Sequence, residues 1–133
     1  GDDVFGAIEV PRTYLRLQCE HELRGKHIRL RQTYLLHHTD PAVLARALRA
    51  SASGFATLLR TLLRLRGETP PADAARVIQQ VADLYHVDAQ HLLAAHLFRY
   101  ASRRHKSEEV LALYRSFLAE MERLIRALEE LSL

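Results

Sequence analysis

Residues 11–36 read PRTYLRLQCEHELRGKHIRLRQTYLL, and their spacing decides the fold. Leu15, Cys19, Leu23, Leu30 and Tyr34 fall on one stripe at the period of an α-helix. Glu20, Arg24, His27 and Arg31 follow at steps of four, three and four, about 100° round from the first stripe. Ionisable groups bordering an apolar seam either line a polar pocket inside a bundle or form a solvated helix flank. In the second case Glu20 and Arg24 make an ordinary surface pair, worth a few tenths of a kcal/mol. Pro11 suits the first turn of this helix, where a missing N–H costs nothing. Gly25 is its weak point, at about 1 kcal/mol against alanine.

Outward from this helix the chain is punctuated into four more. Asp40 predicts an N-cap and Pro41 a first helical position for a helix over 41–66. That helix buries Leu44, Leu48, Ala52, Phe55, Leu58, Leu59, Leu62 and Leu65. Its middle, Ser51-Ala52-Ser53-Gly54, is a run of small residues that suits close approach of a neighbouring helix. Gly67-Glu68-Thr69-Pro70-Pro71 ends it. A third helix over 72–85 presents Ala75, Ile78, Val81, Ala82 and Tyr85. After a break at His86-Val87, Asp88 caps a fourth over 89–101, with Leu92, Leu93, Ala95, Leu97 and Phe98 inward. Ser107 caps a fifth over 108–131, whose first turn carries Glu108 and Glu109 at the positive dipole end. Its seam is the cleanest of all: Leu111, Tyr114, Phe117, Leu118, Met121, Leu124, Ile125, Leu128 and Leu131. No β-like alternation and no internal repeat interrupts this pattern. The expected fold is all-α, an antiparallel up-and-down bundle of four to five helices. Residues 11–133 are expected to form a single domain, and residues 1–10 either an irregular remnant of expression or a connector from an upstream segment.

The chain has 133 residues, enough to bury a single core. Charged residues interrupt every apolar run, so no membrane span is expected. Cys19, the lone cysteine, has no internal disulfide partner and falls on the apolar stripe. It reads as a small buried hydrophobe in a reducing cytoplasm. The net charge is +3, concentrated in the first half. Arginine far outnumbers lysine, 17 to 2, without the clustered aromatics of a nucleic-acid face, so no nucleic-acid partner is expected.

Motifs for chemistry are sparse. No Gly-rich phosphate loop follows a strand, and no Cys-x-x-Cys occurs. No two histidines stand three or four apart, so the helical two-histidine metal face is missing. Asp83-x-x-His86 and Asp88-x-x-His91 have the spacing of carboxylate–histidine ligand pairs, but they straddle a helix break and Asp88 is spent as a cap. No metal, cofactor or catalytic residue is assigned. Arg99 and His105 match the loose spacing of HEPN-type RNA-cleaving bundles, as do Arg31 and His37. Tyr100 replaces the asparagine usual after that arginine.

The run Leu17-Gln18-Cys19-Glu20-x-Glu22-Leu23-Arg24-x-Lys26, continued by Leu30-Arg31-x-x-Tyr34-Leu35, resembles the opening helix of the helical domain accompanying bacterial nucleotidyltransferase-like proteins. Ser53-Gly54-Phe55 and the terminal Tyr114-x-x-Phe117-Leu118-x-x-Met121-Glu122-x-Leu124 are similar. The likeness covers residues 11–131 and extends to the C-terminal half of kanamycin nucleotidyltransferase. It implies a noncatalytic, substrate-binding domain that presents an acceptor and docks on a catalytic domain, upstream or on a separate chain, or on a second copy. This chain has neither the catalytic Gly-Ser turn nor an Asp-x-Asp for two metal ions. Glu20, Arg24, His27 and Arg31 are then the candidate substrate-binding residues, with Glu20 as the carboxylate base. The rival reading is a dimerising interaction module, for which Ile28, Leu35, Leu63 and Leu113 supply apolar surface outside the main seam. A HEPN-type ribonuclease is the third.

Overall fold

The computed structural model describes residues 11–100 and 105–131. The predicted connector 1–10, and Ser102 to Arg104 of the basic loop, lie outside the described residues. Among the described residues the chain is all-helical: α1 (Arg12–His37), α2 (Pro41–Ser53), α3 (Phe55–Leu65), α4 (Ala74–Tyr85), α5 (Ala89–Phe98) and α6 (Ser107–Glu129). None is long and apolar enough to cross a membrane.

The helix expected over 41–66 is two helices. Gly54 sits between them at φ −98° and ψ 1°, outside the helical well, and its N–H bonds back to the Ala52 carbonyl. Serine and glycine are weak helix formers, and the helix breaks at the exposed Gly54 that ends the Ser51–Gly54 run. A Cβ on Gly54 would lie 3.8 Å from Lys26 Nζ.

Other boundaries have local causes. Pro11 is the residue before the first turn of α1, with its carbonyl accepting from the Leu15 N–H at 3.1 Å. Asp40 Oδ1 accepts from the Val43 N–H at 3.4 Å and Pro41 opens α2. Gly67, at φ 76°, takes the left-handed turn that closes α3, and the Glu68 N–H reaches the Leu63 carbonyl at 3.0 Å. His86 closes α4 in the same left-handed region at φ 58°, with the Val87 N–H on the Ala82 carbonyl at 3.1 Å. Asp88 caps α5 by accepting from the Gln90 N–H at 2.8 Å. Ser107 does not cap α6. It is already helical, Lys106 holds the cap position, and no side chain bonds there.

One core joins all six helices. α1 packs on α2, α3 and α6; α6 also meets α2, α4 and α5. Cys19, Leu23 and Leu30 are buried on α1, while Leu15 and Tyr34 are half-buried at the margin. Every apolar position expected to be buried in 41–66 is buried, and so is Leu63, which belongs to the core and not to any surplus surface. On α4 Val77 is buried beside Ile78, Val81, Ala82 and Tyr85, whereas Ala75 is exposed. Leu97 of α5 is turned outward. Two buried phenols tie helices together. Tyr114 of α6 donates to the Leu30 carbonyl of α1 at 2.6 Å, and Tyr85 of α4 to the Leu62 carbonyl of α3 at 2.8 Å. Burial pushes both up to about 12, and it pushes the Cys19 thiol, helped by Glu22, up to about 11.

Gly25 lies inside α1, where the Arg29 guanidinium folds back over it. A Cβ would meet Arg29 Nη1 at 3.3 Å, the far end of a flexible side chain. Gly25→Ala is expected to stabilise the fold by about 0.5–1 kcal/mol through helix propensity. Urea denaturation checks this; a destabilised variant would show that Arg29 cannot move aside.

Candidate functional site

The four predicted site residues do not converge on a cavity. Glu20 is mostly buried and accepts from Arg16 Nη1 at 3.2 Å, so its ion pair runs back along α1, not forward to Arg24. Arg24 reaches across to Glu129 on α6. His27 is half-buried and Arg31 exposed. Four surface cavities of about 290–380 Å³ are lined by other residues.

What α1 presents outward is a second seam. Tyr14, Leu17, His21, Arg24, Ile28, Arg31 and Leu35 succeed one another at steps of three and four, and all seven are exposed. Side chains at that spacing share one helix face, the pattern by which two helices interlock along a seam. By helical geometry this face lies nearly opposite the buried Cys19–Leu23–Leu30 stripe. Its apolar members are far out of the core: Tyr14 is 59% exposed, Leu17 and Ile28 53% each, and Leu35 65%. The helix is thus apolar on two sides. Of the residues read as surplus apolar surface, Ile28 and Leu35 belong here, whereas Leu113 is half-buried against the core. Tyr14 and Leu17 join them in this seam, and the three–four spacing is the sequence signal that finds them.

No known protein family, curated protein or solved structure matches the chain.

A second concentration of polar groups sits where α5 begins. Glu120 of α6 is fully buried. Its carboxylate accepts from the Asp88 N–H at 2.9 Å, shares a proton contact with His91 Nδ1 at 2.8 Å and pairs with Arg123. Burial alone would raise this carboxyl. The bonds from His91, the Asp88 N–H and Arg123 outweigh it and hold the group below the ordinary carboxylate value. Asp88, His91 and Glu120 each turn a possible ligand atom to within 4.8 Å of the others. Yet His91 Nδ1 and the Arg123 guanidinium both already engage Glu120 Oε2. A cation entering there must displace both, so the donor set fits a helix-joining network better than a metal centre. Asp83 and His86 go separate ways: Asp83 accepts from Gln79 at 3.0 Å, and His86 is the left-handed cap of α4.

The HEPN-like pairs are also divided. The Arg99 guanidinium lies over the Tyr100 ring at 5.1 Å, while the His105 ring meets Phe98 edge-on at 4.7 Å. Arg31 and His37 are both exposed on α1. Neither pair is joined by a hydrogen bond.

Proposed function

We propose that this chain is a noncatalytic interaction module, an up-and-down helical bundle whose outer α1 seam docks on a second copy of itself. The exposed succession Tyr14, Leu17, Ile28 and Leu35 carries this reading. Run antiparallel about a two-fold axis, the seam is self-complementary. Leu17 meets Ile28 of the other copy, Tyr14 meets Arg31 as a ring–cation pair, and His21 meets Arg24. The Arg24 charge near the axis is already balanced by Glu129 of its own chain. Closed two-fold pairing of this kind is the commonest form of self-association.

The interface is small. In that register residues 12–33 of the two helices overlap, about 33 Å of α1, and a strip about 10 Å wide covers about 330 Å² on each copy. The total of about 660 Å² falls below the usual size of stable interfaces, so the dimer forms in the micromolar range or above. A nucleotidyltransferase-associated, acceptor-presenting role is the second reading. It calls for Glu20, Arg24, His27 and Arg31 in a pocket, whereas Glu20 and Arg24 are engaged in ion pairs with Arg16 and Glu129.

Sedimentation equilibrium across a concentration series tests the proposal. The parent chain is expected to pass from monomer to dimer, and the double variant Leu17→Glu/Ile28→Glu to stay monomeric with unchanged circular dichroism. A parent that remains monomeric at millimolar concentration overturns it.

A further inference from the structure

A groove of about 290 Å³ between α1 and α2 gathers positive charge with no carboxylate in its lining. Lys26, Arg29 and Thr33 come from α1 and Ser51 from α2, over an apolar floor that includes Leu30 and Ala47. Neither the Lys26 nor the Arg29 side chain makes an ion pair or hydrogen bond among the described residues. Burial and the Arg29 charge hold the Lys26 ammonium below its ordinary value, with Glu22 opposing in part. A half-buried ammonium and an exposed guanidinium therefore stand side by side on the groove.

Ser51 is the independent sign that something belongs in this groove. It is only 8% exposed, and its Oγ is shielded from solvent without a hydrogen-bond partner. A serine inside a helix ordinarily gives its hydroxyl to the carbonyl one turn back; Ser51 does not. A buried hydroxyl left unpaired is costly; Ser51 lines the groove, and a turn of its side chain toward it would let a ligand oxygen accept from the hydroxyl. Thr33 differs, since its hydroxyl already donates to the Arg29 carbonyl at 2.9 Å.

We propose that this groove binds a phosphoryl group, with Lys26 and Arg29 supplying the charge and Ser51 donating to one oxygen. A phosphate monoester carries about −1.5 to −2 charges at neutral pH and three acceptor oxygens, which match two cations and a hydroxyl. A carboxylate has one charge and would leave the groove positive. The volume is at the low end for ligand sites, so the groove takes the phosphoryl group and leaves any attached moiety outside. The site lies apart from the outer seam of α1 and stands whether or not that seam dimerises.

The test is a ¹⁵N chemical-shift titration of the whole chain with inorganic phosphate and, separately, phenyl phosphate, against potassium chloride at matched ionic strength. Saturable shifts over residues 26–33 and 47–54 are expected. Ser51→Ala is expected to weaken binding at least fivefold, and Lys26→Gln/Arg29→Gln to abolish saturation. Ser51→Ala removes only an unpaired hydroxyl and keeps the helix, so its fold is secure. Tighter binding of phenyl phosphate identifies an esterified ligand, and tighter binding of inorganic phosphate a free one; either supports the site. Shifts that are linear and equal in chloride overturn it, as does a Ser51→Ala variant that binds like the parent.

Discussion

Replacing Glu120 by alanine is expected to cost about 3 kcal/mol at neutral pH, lowering Tm by on the order of 10 °C. The carboxylate is fully buried and serves three donors on two helices. His91 and Arg123 are about half exposed, so water recovers part of their loss. The Asp88 N–H, part-buried, loses its acceptor at the turn that starts α5. Glu120→Gln keeps an acceptor for that N–H and loses only charge, so about 1 kcal/mol is expected. The pH dependence has a definite sign. A carboxyl held below its unfolded value of about 4.5 contributes stability that is present above that value. The contribution is lost as pH falls through the depressed folded value. The gap between the parent and Glu120→Gln should therefore be widest above pH 5 and close in acid. Urea denaturation at pH 7 and pH 3 measures it. A gap that is constant with pH would show that the charge of Glu120 does no stabilising.

Phe117→Ala is expected to be the costlier change, at about 3–5 kcal/mol. Phe117 is 1% exposed on α6 and meets the Phe55 ring edge-on, with centroids 5.1 Å apart. Phe55 is the first residue of α3, so the pair holds the start of that helix immediately after the Gly54 break. A loss of this size is a large share of the total stability of a single domain. A double-mutant cycle with Phe55→Ala should return about 0.5–1.5 kcal/mol of coupling, the usual contribution of an edge-to-face pair beyond its burial. Guanidinium titrations of the four species decide this. Full additivity would mean that the rings share a wall and nothing more.

The helices were readable because their signals are local. The α6 seam, the Asp40–Pro41 start of α2 and the Asp88 cap each sit within a few residues of sequence. The Gly54 break is not legible in Ser51–Gly54, because a run of small residues is tolerated inside a helix as readily as it ends one. Glu120 stands three residues after Phe117 and four before Leu124, on the edge of the α6 seam, and a carboxylate at that register signals burial with partners. Arg123 is a local partner, but Asp88 and His91 are 32 and 29 residues away. No spacing rule connects them. The Glu20–Arg31 stripe was seen, but the outcome for Arg24 rests on Glu129, 105 residues distant.

The bond from the Tyr114 hydroxyl to the Leu30 carbonyl spans 84 residues, and it has a consequence for how the protein is made. Translation delivers α1 first and its α6 neighbour last, at about 5–20 residues per second. For about 4–17 s Cys19, Leu23 and Leu30 are on a nascent chain that still lacks α6, one of the three helices α1 packs on. The outer seam of α1 carries apolar side chains as well, so in that interval the helix is sticky on two sides. Whatever shields a newly made chain in the cell is needed most by this one helix, before the ribosome has finished with it.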